Sequence, residues 1–243
     1  MRFLLVSDLD NTLVGDDAAL SMLNQSLQKN REQMYLIYAT GRSYASARAL
    51  QREHALLEPD FWITGVGSEI YRDGAQDPQW AKQISEGWDR DQAIFIAQQF
   101  QPLSLQPISE QNPHKISYFL DPKAHTNTLI DLQRALTDAG LAMQVVFSSN
   151  RDVDILSAKG DKGRAVLYLR EQLNIPAETT LVCGDSGNDI SLFEHSTLGL
   201  IVGNAQPELL RWYRKHGRPG HYLAVKHYAW GILEGLHHFQ LGR

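Results

Sequence analysis

Two carboxylates, Asp8 and Asp10, stand two positions apart in Asp8-Leu9-Asp10-Asn11-Thr12, directly after the apolar run Phe3-Leu4-Leu5-Val6. The run reads as a buried parallel strand, and open α/β sheets bind their ligands just outside the carboxyl ends of such strands. Like charges this close repel each other unless a proton or a cation compensates them. Mg²⁺ meets that need, being a hard octahedral ion satisfied by carboxylate, carbonyl and water oxygens. Alone, such a pair is a weak signal, since most are solvated turns or helix caps. Its meaning rests on what else the chain supplies.

Three further segments supply chemistry. Thr40-Gly41-Arg42-Ser43 follows a second apolar run and opens a helix. A hydroxyl, a glycine that admits close approach and helix N-terminal amides together make an anion site. The simpler alternative is a strand-turn-helix junction capped by Ser43. Lys162, in Lys159-Gly160-Asp161-Lys162-Gly163, begins another helix, a position where lysine is ordinarily solvated. Finally, Cys183-Gly184-Asp185-Ser186-Gly187-Asn188-Asp189 follows an apolar strand. Two acids and an amide among two glycines are unusual for a mere turn and can complete an octahedral metal site.

The elements that must position these groups alternate along the chain. Hydrophobic periodicity predicts strands over 3–6, 34–39 and 61–64, with helices over 18–28 and 43–53 between them. The last third repeats the pattern: helix 162–173, strand 180–183, short helix 189–194, strand 198–202, then helices near 207–215 and 228–239. Such alternation implies α/β architecture, a Rossmann-like parallel sheet with right-handed crossovers. The middle differs. A turn-rich break at 72–78 precedes helix 89–100, strand 115–120, helix 125–139 and strands 143–147 and 153–156. This is an α+β pattern. We therefore expect a discontinuous core, 1–79 and 158–243, with an α+β domain of residues 80–157 inserted into it.

Composition sets the outer limits. The 243 residues are 43% hydrophobic and 21% charged, an ordinary globular balance that argues against disorder. With 23 basic and 28 acidic residues, the formal charge of −5 offers no basic face for nucleic acid and no polybasic membrane patch. Cys183 lies in an apolar run and reads as an inert strand residue rather than a nucleophile. The N-terminal apolar run is too short for a signal peptide, and no stretch reaches the roughly 20 apolar residues of a membrane span. A soluble, cytoplasmic chain is expected, with a monomer as the default state. The histidines show no ligand spacing; in His237-His238 the helical neighbours diverge.

Taken together, the four segments resemble the ordered motifs of the haloacid-dehalogenase superfamily of phosphohydrolases. Asp8-x-Asp10-x-Thr12 resembles its first motif, Thr40 its second, Lys162 its third and Gly184-Asp185-x-x-Asn188-Asp189 its fourth. The resemblance implies that Asp8 is the nucleophile, forming an aspartyl-phosphate. Asp10 would protonate the leaving alkoxide and then activate water, so it must be protonated at one step and ionised at the next. Mg²⁺ would be held by Asp8, the Asp10 carbonyl and Asp185. Thr40 and Lys162 would bind the transferring oxygens. Asn188 and Asp189 would stand behind them, Asp189 orienting Lys162. An acid at position 10 separates this chain from dehalogenases and from cation-pumping ATPases, and leaves a phosphatase or a phosphomutase.

The place of the insertion, between Thr40 and Lys162, is similar to that of sugar-phosphate-selective members. These include sucrose-phosphate, trehalose-phosphate and mannosyl-3-phosphoglycerate phosphatases and phosphomannomutases. The fuller resemblance is to the sucrose-phosphate phosphatase family. It is carried by Ala39-Thr40-Gly41-Arg42-Ser43, Val66-Gly67-Ser68-Glu69-Ile70-Tyr71, Gln111-Asn112-Pro113-His114-Lys115-Ile116-Ser117-Tyr118 and residues 183–189. It implies a small-molecule sugar phosphate as substrate, namely sucrose 6-phosphate. A non-enzymatic alternative is a module that docks on sucrose-phosphate synthase. Gln111, Asn112, Lys115, Tyr118, Asp152 and Asp154 offer the donors and acceptors that sugar hydroxyls need, with Gly41, Arg42 and Ser43 on the phosphate side. Trp62, Trp80 and Trp88 suit core packing better than stacking on a sugar.

Overall fold

The computed structural model describes residues 2–124 and 127–241. The first segment runs β1 (Phe3–Ser7), α1 (Asp17–Lys29), β2 (Met34–Ala39), α2 (Tyr44–Glu53), β3 (Phe61–Thr64), β4 (Glu69–Arg72), β5 (Ala75–Gln76) and α3 (Pro78–Ser85). The middle holds α4 (Arg90–Ala97), β6 (Leu103–Leu105), β7 (Lys115–Leu120), α5 (Thr128–Asp138), β8 (Met143–Ser148) and β9 (Asp152–Ser157). The chain then returns through α6 (Lys162–Leu173), β10 (Thr180–Gly184), α7 (Ile190–His195) and β11 (Leu198–Ile201). It closes with α8 (Pro207–His216), β12 (His221–Leu223) and α9 (Tyr228–His238). The helix expected from 125 is described from Thr128; His125 and Thr126 lie outside the described residues.

An eight-stranded sheet has the order β12-β11-β10-β1-β2-β3-β4-β5. The strands from β12 to β3 pair in parallel, and β4 and β5 complete the edge antiparallel. All five residues of β1 are buried. That follows from covering both faces: Leu4 and Val6 enter one core with α3, α6 and α7, while Phe3 and Leu5 enter the other with α1 and α9. Later strands lie on one side of β1 and earlier strands on the other. A crevice therefore opens at the carboxyl ends of β1 and β10, where the strand order reverses.

A smaller antiparallel sheet, β6-β7-β9-β8, has its own core. Ile116 and Tyr118 of β7 and Val153 and Ile155 of β9 meet Ala93 and Ile96 of α4 and Leu132 and Leu136 of α5. The opposite face of the same strands carries Lys115, Ser117, Asp152 and Asp154, as the period of two requires.

The elements around 69–85 depart from the expected turn-rich break. The hairpin β4–β5 and helix α3 occupy it, α3 starting at Pro78 with Asp77 accepting from the amides of Gln79 and Trp80. Trp80 and Ile84 pack beside Leu4, Val6 and Ile63 in the core of the larger sheet, although the insertion was expected to begin at 80. Trp80 is fully buried and its indole N–H donates to the Gly67 carbonyl at 3.0 Å. Chain crosses to the smaller sheet only after this helix. Removing so large a buried side chain leaves a cavity, so Trp80→Ala should destabilise the fold by about 3–5 kcal/mol. Equilibrium denaturation reads this, and a loss below about 1 kcal/mol would contradict the packing described.

Candidate active site

Three neighbouring strands of the larger sheet end on candidate site residues. β1 hands directly to Asp8, β2 to Thr40 and β10 to Asp185, so one sheet edge gathers all three. The amide of Asp8 donates to the Cys183 carbonyl at 3.0 Å, extending the β1–β10 ladder by one rung. Lys162 is the first residue of α6, which Asp161 caps by accepting from the Arg164 amide at 2.7 Å. Gly67, at φ +99°, lies flat on that helix start. A Cβ there would stand 2.1 Å from the Asp161 carbonyl carbon, so only glycine permits the approach.

The Lys162 ammonium is fully buried and donates to Asp8 Oδ1 at 2.8 Å, Asn188 Oδ1 at 2.7 Å and Asp189 Oδ1 at 2.7 Å. Three donors meet three acceptors. Asp189 Oδ2 accepts from the amides of Asp185 and Ser186, at 3.0 and 3.1 Å. Both of its oxygens are thereby committed. Asp185 Oδ1 accepts from the Thr12 hydroxyl at 3.1 Å. Asp10 points elsewhere: Arg42 grips it in a two-point pair, Nε to Oδ2 and Nη2 to Oδ1, both at 2.7 Å. Ser46 accepts from the third guanidinium nitrogen at 2.9 Å.

Charge is unbalanced at this edge. Carboxylate oxygens of Asp8, Asp185 and Asp189 lie within 4.8 Å of one another, all buried, and three negative charges face one ammonium. Burial pushes the Asp8 carboxyl up to about 7; Lys162 opposes the rise, while Asp189 and Asp10 add to it. Burial, then Asp8 and Asp189, push Asp185 up to about 9. On Lys162 burial disfavours the charge, but Asp189 and Asp8 outweigh it and hold the ammonium above the usual lysine range. A divalent cation would offset the two uncompensated charges. Because Asp189 is saturated, Asp8 and Asp185 are the carboxylates left to hold it. The residues fit a hard cation with oxygen ligands.

Asp8 and Asp185 open into a cavity of about 320 Å³ between the two sheets. From the larger sheet Asp10, Asn11, Gly41, Arg42, Ser46, Ser186 and Asn188 line it; from the smaller come Gln106, Glu110, Lys115, Ser148, Ser149, Asp152 and Asp154. The lining is mostly polar. Lys115 and Asp154, both buried, form an ion pair at 3.5 Å, and Asp154 also accepts from the Ser117 hydroxyl at 2.6 Å. Asp152 accepts from Gln106 at 3.0 Å; burial first, and Asp154 second, raise its pKa.

The family model for sucrose-6F-phosphate phosphohydrolase matches residues 1–240. The chain belongs to this family of phosphoric monoester hydrolases. A solved sucrose-phosphatase from Synechocystis sp. PCC6803, in complex with sucrose and phosphate, is 51% identical over 99% of both chains, with a TM-score of 0.97. Sucrose-phosphatase 1 of Nicotiana tabacum is 36% identical over 99% of this chain and 60% of its own length. The chain thus spans about 60% of the plant relatives it matches. A mannosylfructose-phosphate phosphatase of Agrobacterium fabrum is 33% identical over 98% of this chain and 97% of its own.

Several residues expected to touch substrate are placed otherwise. Gln111 spends its amide on the carbonyls of Gln106 and Ser117 and on the Ser117 amide. Asn112 donates to the Ser68 hydroxyl at 2.7 Å and accepts from the His114 amide, bridging the two sheets' loops. Tyr118 is buried in the core of the smaller sheet. None of the three lines the cavity. Ser43 stands at the N-cap of α2 but makes no side-chain cap bond, and buried Thr40 accepts from the Arg42 amide at 3.1 Å. Arg42, read as a phosphate ligand, holds Asp10. Of the lining residues not foreseen, Ser46 had a signal, since it lies in the first turn of the helix that Thr40-Gly41-Arg42-Ser43 opens. Gln106 and Glu110 sit in an irregular stretch without periodicity.

The raised carboxyls predict how stability depends on pH. Below about pH 4 both carboxyls are protonated in folded and unfolded chains alike and cost nothing. As pH rises, the metal-free fold loses stability up to about pH 7 through Asp8 and about pH 9 through Asp185. Saturating divalent cation should therefore raise Tm more at pH 8 than at pH 5. Thermal unfolding with and without cation tests this; equal shifts at both pH values would refute the charge imbalance.

Proposed function

We propose that this chain hydrolyses sucrose 6-phosphate to sucrose and inorganic phosphate, with Mg²⁺, through an aspartyl-phosphate on Asp8. One observation carries the reading. The Asp8 carboxylate, tied to Lys162 through Oδ1 only, faces a polar cavity whose other wall is the smaller sheet. The end-to-end likeness to a sucrose-phosphatase in complex with sucrose and phosphate supports the choice of sugar.

In this mechanism an Asp8 oxygen attacks phosphorus as the bond to the sugar oxygen breaks. Asp10, once released from Arg42 and protonated from solvent, delivers the proton that the departing alkoxide needs. Asp10, now ionised, takes a proton from water, which attacks phosphorus and expels the Asp8 carboxylate with inorganic phosphate. The Lys162 ammonium, bonded to Asp8, Asn188 and Asp189, holds the nucleophile in line and adds positive charge beside it. Asp8, the Asp10 backbone carbonyl and Asp185 would hold Mg²⁺, which when bound supplies charge to the transferring oxygens. Arg42 fixes Asp10 until the leaving oxygen arrives. The segment after α3 up to 157 acts as a cap, and its closure over Asp8 would exclude water and bring Lys115, Asp152 and Asp154 onto the sugar.

A second substrate, mannosylfructose phosphate, is favoured by the full-length likeness to the Agrobacterium fabrum relative. A panel of sucrose 6-phosphate, mannosylfructose phosphate, trehalose 6-phosphate and mannosyl-3-phosphoglycerate, assayed with Mg²⁺ and with EDTA, separates them. Sucrose 6-phosphate should give the highest kcat/KM, and EDTA should abolish phosphate release. Better turnover of another member would overturn the sugar assignment. Phosphate moved between positions of one sugar, with no free phosphate, would point to a phosphomutase instead. Asp8→Asn keeps the size of the side chain but removes the nucleophile, and should lower kcat by several orders of magnitude, on the order of 10⁴ or more. Retained turnover would sink the covalent mechanism.

A further inference from the structure

The turn after β11 lies outside every motif read from the sequence, yet it is bonded to both acidic loops. Asn204 Nδ2 donates to the Asn11 carbonyl at 2.6 Å, and Asn204 Oδ1 accepts from the Tyr228 amide at 2.9 Å. The Gly203 amide donates to the Lys226 carbonyl at 2.9 Å, and the Gln206 amide to the Asp185 carbonyl at 2.7 Å. A Cβ on Gly203 would stand 2.5 Å from the Val225 carbonyl oxygen, so the two strands of chain approach closely only with glycine there. Gly203, Asn204 and Gln206 thus bind the loop of Asp10, the loop of Asp185 and the approach to α9.

Asn11 directly follows Asp10 and sits at φ +60°, in the left-handed region that non-glycine residues rarely occupy. A residue held there needs its neighbours to keep it there. Only the 10–11 peptide and the Asn11 φ and ψ separate the Asn11 carbonyl from the Asp10 Cα, so holding that carbonyl restrains how the Asp10 backbone can rotate. We infer that Asn204 is a positioning residue for Asp10: by anchoring the Asn11 carbonyl it aims the Asp10 carboxyl at the leaving-group oxygen. Asp10 is then fixed from two sides, through the adjoining Asn11 carbonyl held by Asn204 and through its carboxylate held by Arg42. An amide suits the position because it supplies a donor and an acceptor together. This inference rests on the phosphatase reading above.

Asn204→Asp tests it, since the carboxylate keeps the size and the acceptor for Tyr228 but replaces the donor to Asn11 with an oxygen. Kinetics with sucrose 6-phosphate and with p-nitrophenyl phosphate separate the roles. A sugar alkoxide needs a proton to leave, whereas p-nitrophenolate leaves without one. The added charge of Asn204→Asp repels both phosphates alike and cancels in their ratio.

The variant should keep its Tm, and kcat/KM should fall about tenfold or more with sucrose 6-phosphate but less than about threefold with p-nitrophenyl phosphate. Unchanged kcat/KM on both, or equal losses on both, would overturn the inference. If Asn204→Asp does not fold, the same ratio measured on Asn204→Ala decides. Wild-type protein that releases phosphate from neither compound would overturn the phosphatase reading itself, and this inference with it. Active wild type with an unchanged variant would overturn the inference alone.

Discussion

The buried ammonium of Lys162 is the constraint on which the site depends. A charge taken wholly out of water costs several kcal/mol unless its donors are met. Here all three are met, by Asp8, Asn188 and Asp189, which come from the ends of two different strands. That requirement pins the start of α6 against the carboxyl ends of β1 and β10. It also explains the packing of Gly67 on the Asp161–Lys162 backbone, because the loop after β3 must leave room for the helix start. The sheet, the helix and the loop have one common point.

Satisfying Lys162 leaves the acids over-supplied. Asp189 is consumed by Lys162 and two amides, so the surplus negative charge falls on Asp8 and Asp185, which face the cavity. This surplus suits a hard cation with oxygen ligands. Asp10, two residues away, is kept out of that cluster by Arg42 and remains half-exposed at the cavity wall. Two acids of the same type in one short loop therefore meet different surroundings. The difference between them follows from partners, not from residue type.

Much of the architecture was legible in the chain. Strand β2, β3 and β7 and helix α6 fall at the expected residues because their periodicity is uninterrupted and their boundaries carry turn or cap residues. The elements that escaped, β4, β5, β6, β12 and α3, are short or lie among turn residues. Two to four residues show no measurable period, and strands of that length form because a neighbouring strand is already in place. Helix α3 was hidden for another reason. Its partners, Leu4, Val6 and Ile63, are distant in sequence, and only their proximity makes Trp80 a core residue.

Sequence alone determined that acids stand at the ends of buried strands, and that a lysine opens the helix returning from the insertion. Those are properties of type and order, and a parallel sheet translates order directly into a shared edge. Even the burial of Tyr118 was written there, since it alternates with Ile116 on the apolar face of β7. Only the tertiary structure decided which polar groups of the smaller sheet reach the cavity. Gln111 and Asn112 look as suitable for a sugar as Gln106 or Asp152, but their hydrogen bonds are already spent on Ser117, Ser68 and nearby backbone. A polar residue's capacity is local chemistry. Whether any of it remains for a ligand depends on partners that the fold brings from elsewhere in the chain.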